Sequence, residues 1–382
     1  MQSDFLIVGA GIAGASAGYE LATKGKVVLL ERESTPGYHT TGRSAATFIE
    51  TYGPRAMRML TAAGKDFFHS PPAGFAEHAL VAPRGCMVVA TAARIGNLAQ
   101  QLKDCRELSA NVRALDTSEA LGLCPALKPE AAAAGMLDPD AMDIDVDALH
   151  QGFLKGLRAR GGAIVVDAEA IGLERSAGQW QVRTSKGAFA APVLVNAAGA
   201  WADEVAAMAD VGRVGLVPKR RTIVAFDPPD GQDIRAWPIV GSDDEDEGWY
   251  FLPQGGRLIG SPADETPSPP CDAQPEELDI AIAVDRIETA TTMQVRRLAA
   301  KWAGLRSFVA DKTIVAGFAP EAEGFLWLAG QGGYGIQTSP ALARAVAALA
   351  TSGDLPADLR ARGLSAAMLS PQRPALRQVA KV

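Results

Sequence analysis

The sequence predicts an α/β fold of more than one domain, and three observations carry that expectation. The chain has 382 residues, roughly two to three domains' worth. Its N-terminus reads strand, glycine turn, helix, strand, the pattern of a parallel βαβ unit. Its middle is a succession of short β segments separated by turn clusters.

In chain order, Asp4-Phe5-Leu6-Ile7-Val8 is a short apolar run of strand type, followed at once by Gly9-Ala10-Gly11-Ile12-Ala13-Gly14, which matches G-x-G-x-x-G. Residues 15–24 have helical composition, Gly25 closes them, and Val27-Val28-Leu29-Leu30 is a second buried strand ending in Glu31. A Gly- and Ala-rich chain produces that hexapeptide by chance. The flanking strand, helix, second strand and acidic residue about twenty positions on mark a dinucleotide site instead. Gly9 permits the tight turn, Gly11 lets the backbone approach a pyrophosphate, and Gly14 lets helix and strand pack closely. The free N–H groups of the helix start face the phosphates, and Glu31 can accept from ribose hydroxyls.

Further strands are expected at residues 163–166, 169–174, 180–184, 187–189 and 193–196, the last running into Ala197-Ala198-Gly199-Ala200-Trp201. That small-residue loop suits close backbone approach to a ligand, and equally an ordinary strand-to-helix turn. Residues 218–226, 237–240, 248–252 and 257–260 are strand candidates, residues 276–292 and 340–350 are helical, and residues 262–275 form a Pro-rich surface loop. Leu326-Trp327-Leu328-Ala329 leads into Gly330-Gln331-Gly332-Gly333-Tyr334-Gly335. The run Asp243-Asp244-Glu245-Asp246-Glu247 reads as a solvated loop.

Composition narrows the function. With 48% apolar and 21% charged residues the chain can bury ample core, and 37 basic against 44 acidic residues give a net charge of −7, against nucleic-acid binding. No apolar run approaches the roughly 18 residues of a membrane span. Met1-Gln2-Ser3-Asp4 has no signal-peptide character, so the expected location is cytoplasmic, with a peripheral contact to the inner membrane left open. Cys86, Cys105, Cys124 and Cys271 are dispersed, which excludes a zinc-finger pattern and disfavours a disulfide scaffold; no metal site is expected. No Ser-His-Asp constellation appears. Arg221 and Arg306 stand in apolar surroundings, where each either pairs with an internal carboxylate or binds an anionic ligand through a bidentate fork.

The stretch after Glu31-Arg32, Pro36-Gly37-Tyr38-His39-Thr40-Thr41-Gly42-Arg43-Ser44-Ala45-Ala46, resembles the FAD-dependent D-amino-acid oxidoreductase (DAO) family, that of D-amino-acid oxidase, glycine oxidase and sarcosine oxidase. Within it, the chain is most similar to the bacterial D-arginine dehydrogenase subfamily, through Asp147-Ala148-Leu149-His150-Gln151-Gly152, Pro218-Lys219-Arg220-Arg221, Trp302-Ala303-Gly304-Leu305-Arg306-Ser307-Phe308 and Gln331-Gly332-Gly333-Tyr334-Gly335-Ile336-Gln337-Thr338-Ser339. The resemblance implies a two-domain α/β flavoprotein. A Rossmann-like FAD-binding domain would be drawn from residues 1–46, 140–215 and 310–382, and an antiparallel-sheet substrate domain from residues 47–139 and 216–309.

It also implies roles. FAD, bound non-covalently, would contact Gly9, Gly11, Ile12, Ala13, Gly14, Glu31 and Arg32; Thr41, Gly42, Arg43, Ser44 and Ala45; Ala198, Gly199 and Trp201; and Gly332, Gly333, Tyr334, Gly335, Ile336, Gln337 and Thr338. Arg221, Arg306 and Tyr250 match carboxylate-binding positions, and Tyr52 matches a residue on a segment covering the site. Gly333 and Gln337 match positions near the substrate amino group and the flavin edge. The side-chain end departs from the subfamily. Cys86 stands where a glutamate receives the cationic side chain, Thr47 and Ile49 replace a histidine and a threonine, and Ile239 and Gly241 line the pocket.

The function this implies is oxidative deamination of D-amino acids, as small-molecule substrates, by hydride transfer from Cα to flavin N5. The resulting imine hydrolyses to a 2-oxo acid and ammonia, and electrons pass to a quinone or another carrier. Preference would shift from D-arginine toward neutral or apolar side chains. Glu50 and the 243–247 run are the carboxylates that could restore a cationic pocket. The alternatives are an oxidase of glycine, sarcosine or another amine, and a non-catalytic flavin-binding redox sensor, for which Arg221, Arg306 and Tyr250 would be needless.

Overall fold

Four consecutive apolar residues that are all buried need cover on both faces, and Phe5–Val8 finds it at the centre of a six-stranded sheet. A computed structural model describes residues 1–244 and 246–377 of the chain. Phe5–Val8 runs parallel to Val27–Leu30 on one side and to Val193–Asn196 on the other. The sheet continues outward to Ala163–Val165 on one edge and through Phe325–Ala329 to Val315–Phe318 on the other, only this last pair being antiparallel. Alternate side chains serve alternate layers. Ile7, Leu29, Val195 and Leu326 join a core with the helices Ile12–Leu21, Val146–Ala159 and Gly335–Ser352. Leu6, Val28, Leu194 and Trp327 join a second core with Val205 of the helix Ala202–Met208 and with Trp180 and Phe189 of a three-stranded antiparallel sheet, Ala170–Ser176, Gln179–Thr184 and Gly187–Ala191.

The second large sheet has nine strands. Its order is Thr266–Pro267, Val217–Phe226, Arg257–Ser261, Tyr250–Gln254, Ile239–Ser242, Cys86–Ala90, Ala134–Asp138 and Arg113–Leu115, with Leu298–Phe308 along the other edge of Val217–Phe226. All pairings are antiparallel except Ile239–Ser242 with Cys86–Ala90. Met87, Val224, Val240 and Phe251 on one face pack against the helices Thr117–Leu123 and Glu277–Ala290. The opposite face carries Ile223, Ile239, Leu252 and Ile259, and is met by Ala45 and Ile49 from the segment that leaves the first sheet. A third small sheet pairs Met142–Ile144 with Thr47–Phe48 and Val81–Pro83.

The elements expected from the sequence are present with shifted ends. The first helix begins at Ile12, directly after Gly11, and takes Gly14 into its first turn. The strand expected at residues 237–240 is Ile239–Ser242, and that at 248–252 is Tyr250–Gln254. Glu245 of the acidic run and residues 378–382 of the expected cofactor domain lie outside the described residues. Among the described residues no helix is long and apolar enough to cross a membrane, and no group of three or more His, Cys, Asp or Glu could hold a metal ion.

Candidate active site

The nucleotide end is built by close backbone approach. Gly9 has φ +101°, and a Cβ there would lie 2.4 Å from the Ala197 carbonyl oxygen; one on Gly14 would lie 1.8 Å from the Gly9 oxygen. Only glycine lets the two parallel strands and the helix meet this tightly. The buried Glu31 carboxylate accepts the Ala10 N–H at 2.9 Å and the Glu33 N–H at 3.0 Å, while burial pushes its pKa up against those two donors. The Ile12 N–H is taken by Thr41 Oγ1 at 2.9 Å, which ties the 37–46 segment to the helix start. Ile12, Ala13 and Gly14 are themselves buried in the helix's first turn.

Gly9, Gly11, Glu31, Thr41, Gly199 and Trp201 line one cavity of about 310 Å³, with Arg32 and Ala198 also on its wall. Arg32 stacks its guanidinium 4.8 Å from the Trp201 ring. His39 donates Nε2–H to the Glu33 carboxylate at 2.9 Å, and its Nδ1 is buried at the cavity wall without a partner among the described residues. Glycines without room for a Cβ, a ribose-accepting carboxylate and an orphaned polar atom together fit a bound dinucleotide.

The second half of the site sits on the face of the nine-stranded sheet that carries Ile223, Ile239 and Leu252. Arg221 pairs in register with Gly304, and Lys219 with Arg306, so both arginines project from the same face. Tyr250 pairs with Ser261 and Gly241. Arg221 lies 6.0 Å from the Tyr250 ring; its Nε donates to the Asp264 main-chain oxygen at 2.8 Å and faces the Asp264 carboxylate at 3.8 Å. The Arg306 side chain makes no hydrogen bond or ion pair among the described residues; its charge faces Tyr250 and Tyr52 and, beyond ion-pair distance, the Glu265 and Asp264 carboxylates. Burial raises the Tyr250 phenol, but Arg306 and Arg221 outweigh it and hold its pKa below the ordinary value.

Gly333 joins the halves. A Cβ on it would lie 3.2 Å from both Arg306 Nη1 and Tyr52 Oη. The Tyr52 ring lies 5.1 Å from that of Tyr334, tilted by 55°, and Tyr334 directly precedes the helix Gly335–Ser352. Gly332 packs under Phe308, Gly335 against Gln331, and Ile336 and Thr338 are buried in the helix's first turn.

At the far end, Ile49, Cys86, Ile239 and Tyr250 share one apolar cluster, and Gly241 pairs with Tyr250. Thr47 is not part of that cluster; it pairs with Asp143 in the small third sheet. The Cys86 thiol is pushed up to about 12 by burial, with Asp138 and Cys105 adding, so it is neutral near pH 7. Glu50 is bound by Lys65 at 2.5 Å. Asp243 and Asp244 pair with Arg94, at 3.1 and 3.4 Å. Of the carboxylates expected to reach the pocket, Glu50, Asp243 and Asp244 are thus held by Lys65 and Arg94.

Two expected residues do other work. The Arg43 guanidinium donates to the Ala273 and Ala303 carbonyls at 2.8 and 3.1 Å and pairs with Asp272, so two main-chain oxygens and a carboxylate satisfy its charge. Gln337 accepts the Ile49 N–H at 3.1 Å and donates to Thr61 at 3.1 Å and Ile49 O at 3.4 Å, so its amide fastens the segment carrying Tyr52. Gly42 closes a turn onto Gly37, Ser44 caps Thr40, and Ala45 packs on the second sheet. Asp264 and Asp138, both buried carboxylates beside the site, were invisible in the sequence: the first lies in a Pro-rich loop and the second in a strand without alternation.

The chain that builds this cradle and this arginine-bearing sheet belongs to the DAO family of FAD-dependent oxidoreductases, whose profile matches residues 4–349. FAD is the cofactor of that family. Among solved structures the chain is similar to L-proline dehydrogenase from P. horikoshii, with TM-score 0.83, 20% identity and 97% of each chain covered. It is also similar to glycine oxidase from Geobacillus kaustophilus, with TM-score 0.81, 22% identity, and 97% of this chain and 99% of that one covered. These likenesses show the fold. The FAD-dependent oxidoreductase domain-containing protein 1 of Bos taurus is 27% identical over 186 residues, 42% of this chain and 36% of that protein, so the chain spans about a third of that relative's length.

Proposed function

We propose that the protein oxidises D-amino acids with neutral or apolar side chains to the imine, which hydrolyses to a 2-oxo acid and ammonia, and hands the electrons to a carrier other than oxygen. The observation that carries the reading is the unpaired Arg306 guanidinium beside Arg221 and Tyr250, on a sheet face that looks toward the glycine turn at Gly333. A charge left without a partner in a partly buried site asks for an anion, and the forked donors of two arginines suit a carboxylate. FAD, when bound, supplies the two-electron acceptor for the Cα hydride. In this reading Arg221, Arg306 and Tyr250 hold the carboxylate, Tyr52 covers it, and Ile49, Cys86 and Ile239 receive the side chain. A preference for neutral side chains is supported by the neutral Cys86 thiol and the committed Glu50, Asp243 and Asp244. The D enantiomer is favoured by the motif likeness to D-arginine dehydrogenase.

The same reading assigns residues 1–46, 140–215 and 310–382 to the cofactor half and residues 47–139 and 216–309 to the substrate half. Every strand of the six-stranded sheet falls in the first set and every strand of the nine-stranded sheet in the second, which supports it. The test is dye reduction with D-Leu, D-Met, D-Phe, D-Arg, L-Leu, glycine and sarcosine, with 2-oxo acid and ammonia measured. One of the neutral D-amino acids should give the highest kcat/KM; turnover confined to glycine, sarcosine or an L-amino acid refutes the proposal.

A further inference from the structure

The Pro-rich segment expected to be a surface loop turns one residue inward. Asp264 has a side chain only 8% exposed. Burying a carboxylate is costly unless hydrogen bonds and an opposite charge compensate it, and burial does raise the Asp264 pKa against the donors that Thr222 supplies. Those donors are specific. The Thr222 N–H reaches Oδ1 at 2.7 Å and the Thr222 hydroxyl reaches Oδ2 at 3.1 Å. Thr222 is fully buried and is the chain neighbour of Arg221. The main-chain oxygen of the same aspartate accepts Arg221 Nε at 2.8 Å.

The backbone bends to make this possible. Ala263 adopts φ 55°, left-handed for a residue with a Cβ, and its N–H is held by Ser261 Oγ at 3.1 Å. Ser261 is the cross-strand partner of Tyr250. One tight turn thus starts at the tyrosine's partner and ends on the arginine. With Nε occupied, Arg221 keeps only its two terminal nitrogens for a ligand, one of them 3.8 Å from Glu265 Oε1.

We infer that Asp264 is a positioning residue for the carboxylate site: by clamping Thr222 through its side chain it holds its own main-chain oxygen against Arg221 Nε and so fixes the direction in which that guanidinium presents its free edge. The inference rests on the proposed role of Arg221 in binding the substrate carboxylate, and the experiment separates the two.

The holoprotein is titrated with 4-methylvalerate, a carboxylate with the carbon chain of leucine and no amine, followed by the flavin absorbance shift. KM and kcat are measured with the best D-amino acid. Removing a hydrogen-bonded tether to a charged group should raise Kd and KM about tenfold in Asp264→Ala, with kcat and flavin content unchanged. Asp264→Asn keeps an acceptor for the Thr222 N–H and a group for its hydroxyl, and should bind within about twofold of wild type. Thr222→Val removes one of the two bonds with little change of shape and should raise Kd about threefold, an independent reading should Asp264→Ala not fold. Wild-type binding by Asp264→Ala or by Thr222→Val, a fall in kcat at constant KM, or Asp264→Asn as weak as Asp264→Ala overturns the positioning role. Arg221→Met is run alongside. If it binds the probe weakly while Asp264→Ala binds normally, only the positioning role fails; if it binds the probe as well as wild type, the carboxylate reading itself fails.

Discussion

Replacing Arg306 with Met removes a charge that makes no ion pair among the described residues, and the structure predicts that this differs from the same change at Arg221. Arg306 is half-buried and makes no hydrogen bond or ion pair among the described residues, so its loss leaves no internal partner behind. The cost falls on the ligand. Losing one partner of a desolvated charge pair costs roughly 2–5 kcal/mol, and partial exposure argues for the lower part, about 2–3 kcal/mol, or roughly 30- to 150-fold in kcat/KM. Arg221 is already engaged with Asp264 and lies 3.8 Å from Glu265. Arg221→Met therefore also leaves the Asp264 main-chain oxygen without its donor and removes a cation 3.8 Å from the buried carboxylate, which costs about 1–3 kcal/mol of stability and lowers Tm by several degrees. The assays are kcat/KM with a neutral D-amino acid and a thermal melt of each holoprotein. Arg306→Met should melt like wild type and lose activity; Arg221→Met should lose both. A kcat/KM for Arg306→Met within about threefold of wild type would refute the reasoning.

Acid precipitation should release the yellow chromophore into the supernatant, since none of the four cysteines lies in the glycine-rich turn at residues 330–335; colour retained in the pellet contradicts this. Gly9→Ala forces a Cβ to 2.4 Å from a carbonyl oxygen at φ +101° and should yield protein with little FAD, measured by the ratio of flavin to protein absorbance. As pH rises through the lowered Tyr250 pKa, the phenolate competes with the substrate carboxylate for Arg306 and Arg221, so KM should rise with pH and Tyr250→Phe should abolish the rise. Cys86 faces Asp138 across the strand pair, so Cys86→Glu would set two carboxylates side by side. Activity toward D-Arg should therefore rise in Cys86→Glu, and D-Arg should remain the poorer substrate in the parent protein; D-Arg and D-Lys winning in the parent overturns the specificity proposal.

Much of the cofactor half was legible because its constraints are local. Gly9, Gly11, Gly14 and Glu31 act through backbone approach and a short βαβ unit, which spacing alone reveals. The substrate half depends on register between distant strands. That Arg221 and Arg306 share a face follows from the pairing of Lys219 with Arg306, which no sequence pattern encodes. The strands Cys86–Ala90 and Ala134–Asp138 lack alternation because both faces are covered or crowded, so neither was expected. The helix Arg55–His69 was readable in principle, its buried Met57, Leu60, Thr61, Gly64 and Phe68 recurring at helical spacing. Arg43 and Gln337 lie in the right segments, yet their side chains serve Asp272 and Ile49, because motif position fixes the backbone and tertiary neighbours decide where a long polar side chain finds partners. Asp264 was hidden for the opposite reason: Pro-rich composition marks a surface loop and says nothing of one residue folded under it.

The central claim is that Arg221, Arg306 and Tyr250 hold a D-amino acid against the flavin. It is tested most directly by mixing the holoprotein with D-Leu or L-Leu without oxygen or any other acceptor and following the flavin band in a single turnover. Bleaching by D-Leu, lost or greatly slowed in Arg306→Met, with no bleaching by L-Leu, is the result expected; bleaching by L-Leu alone, or by D-Leu at the same rate in Arg306→Met, would contradict it.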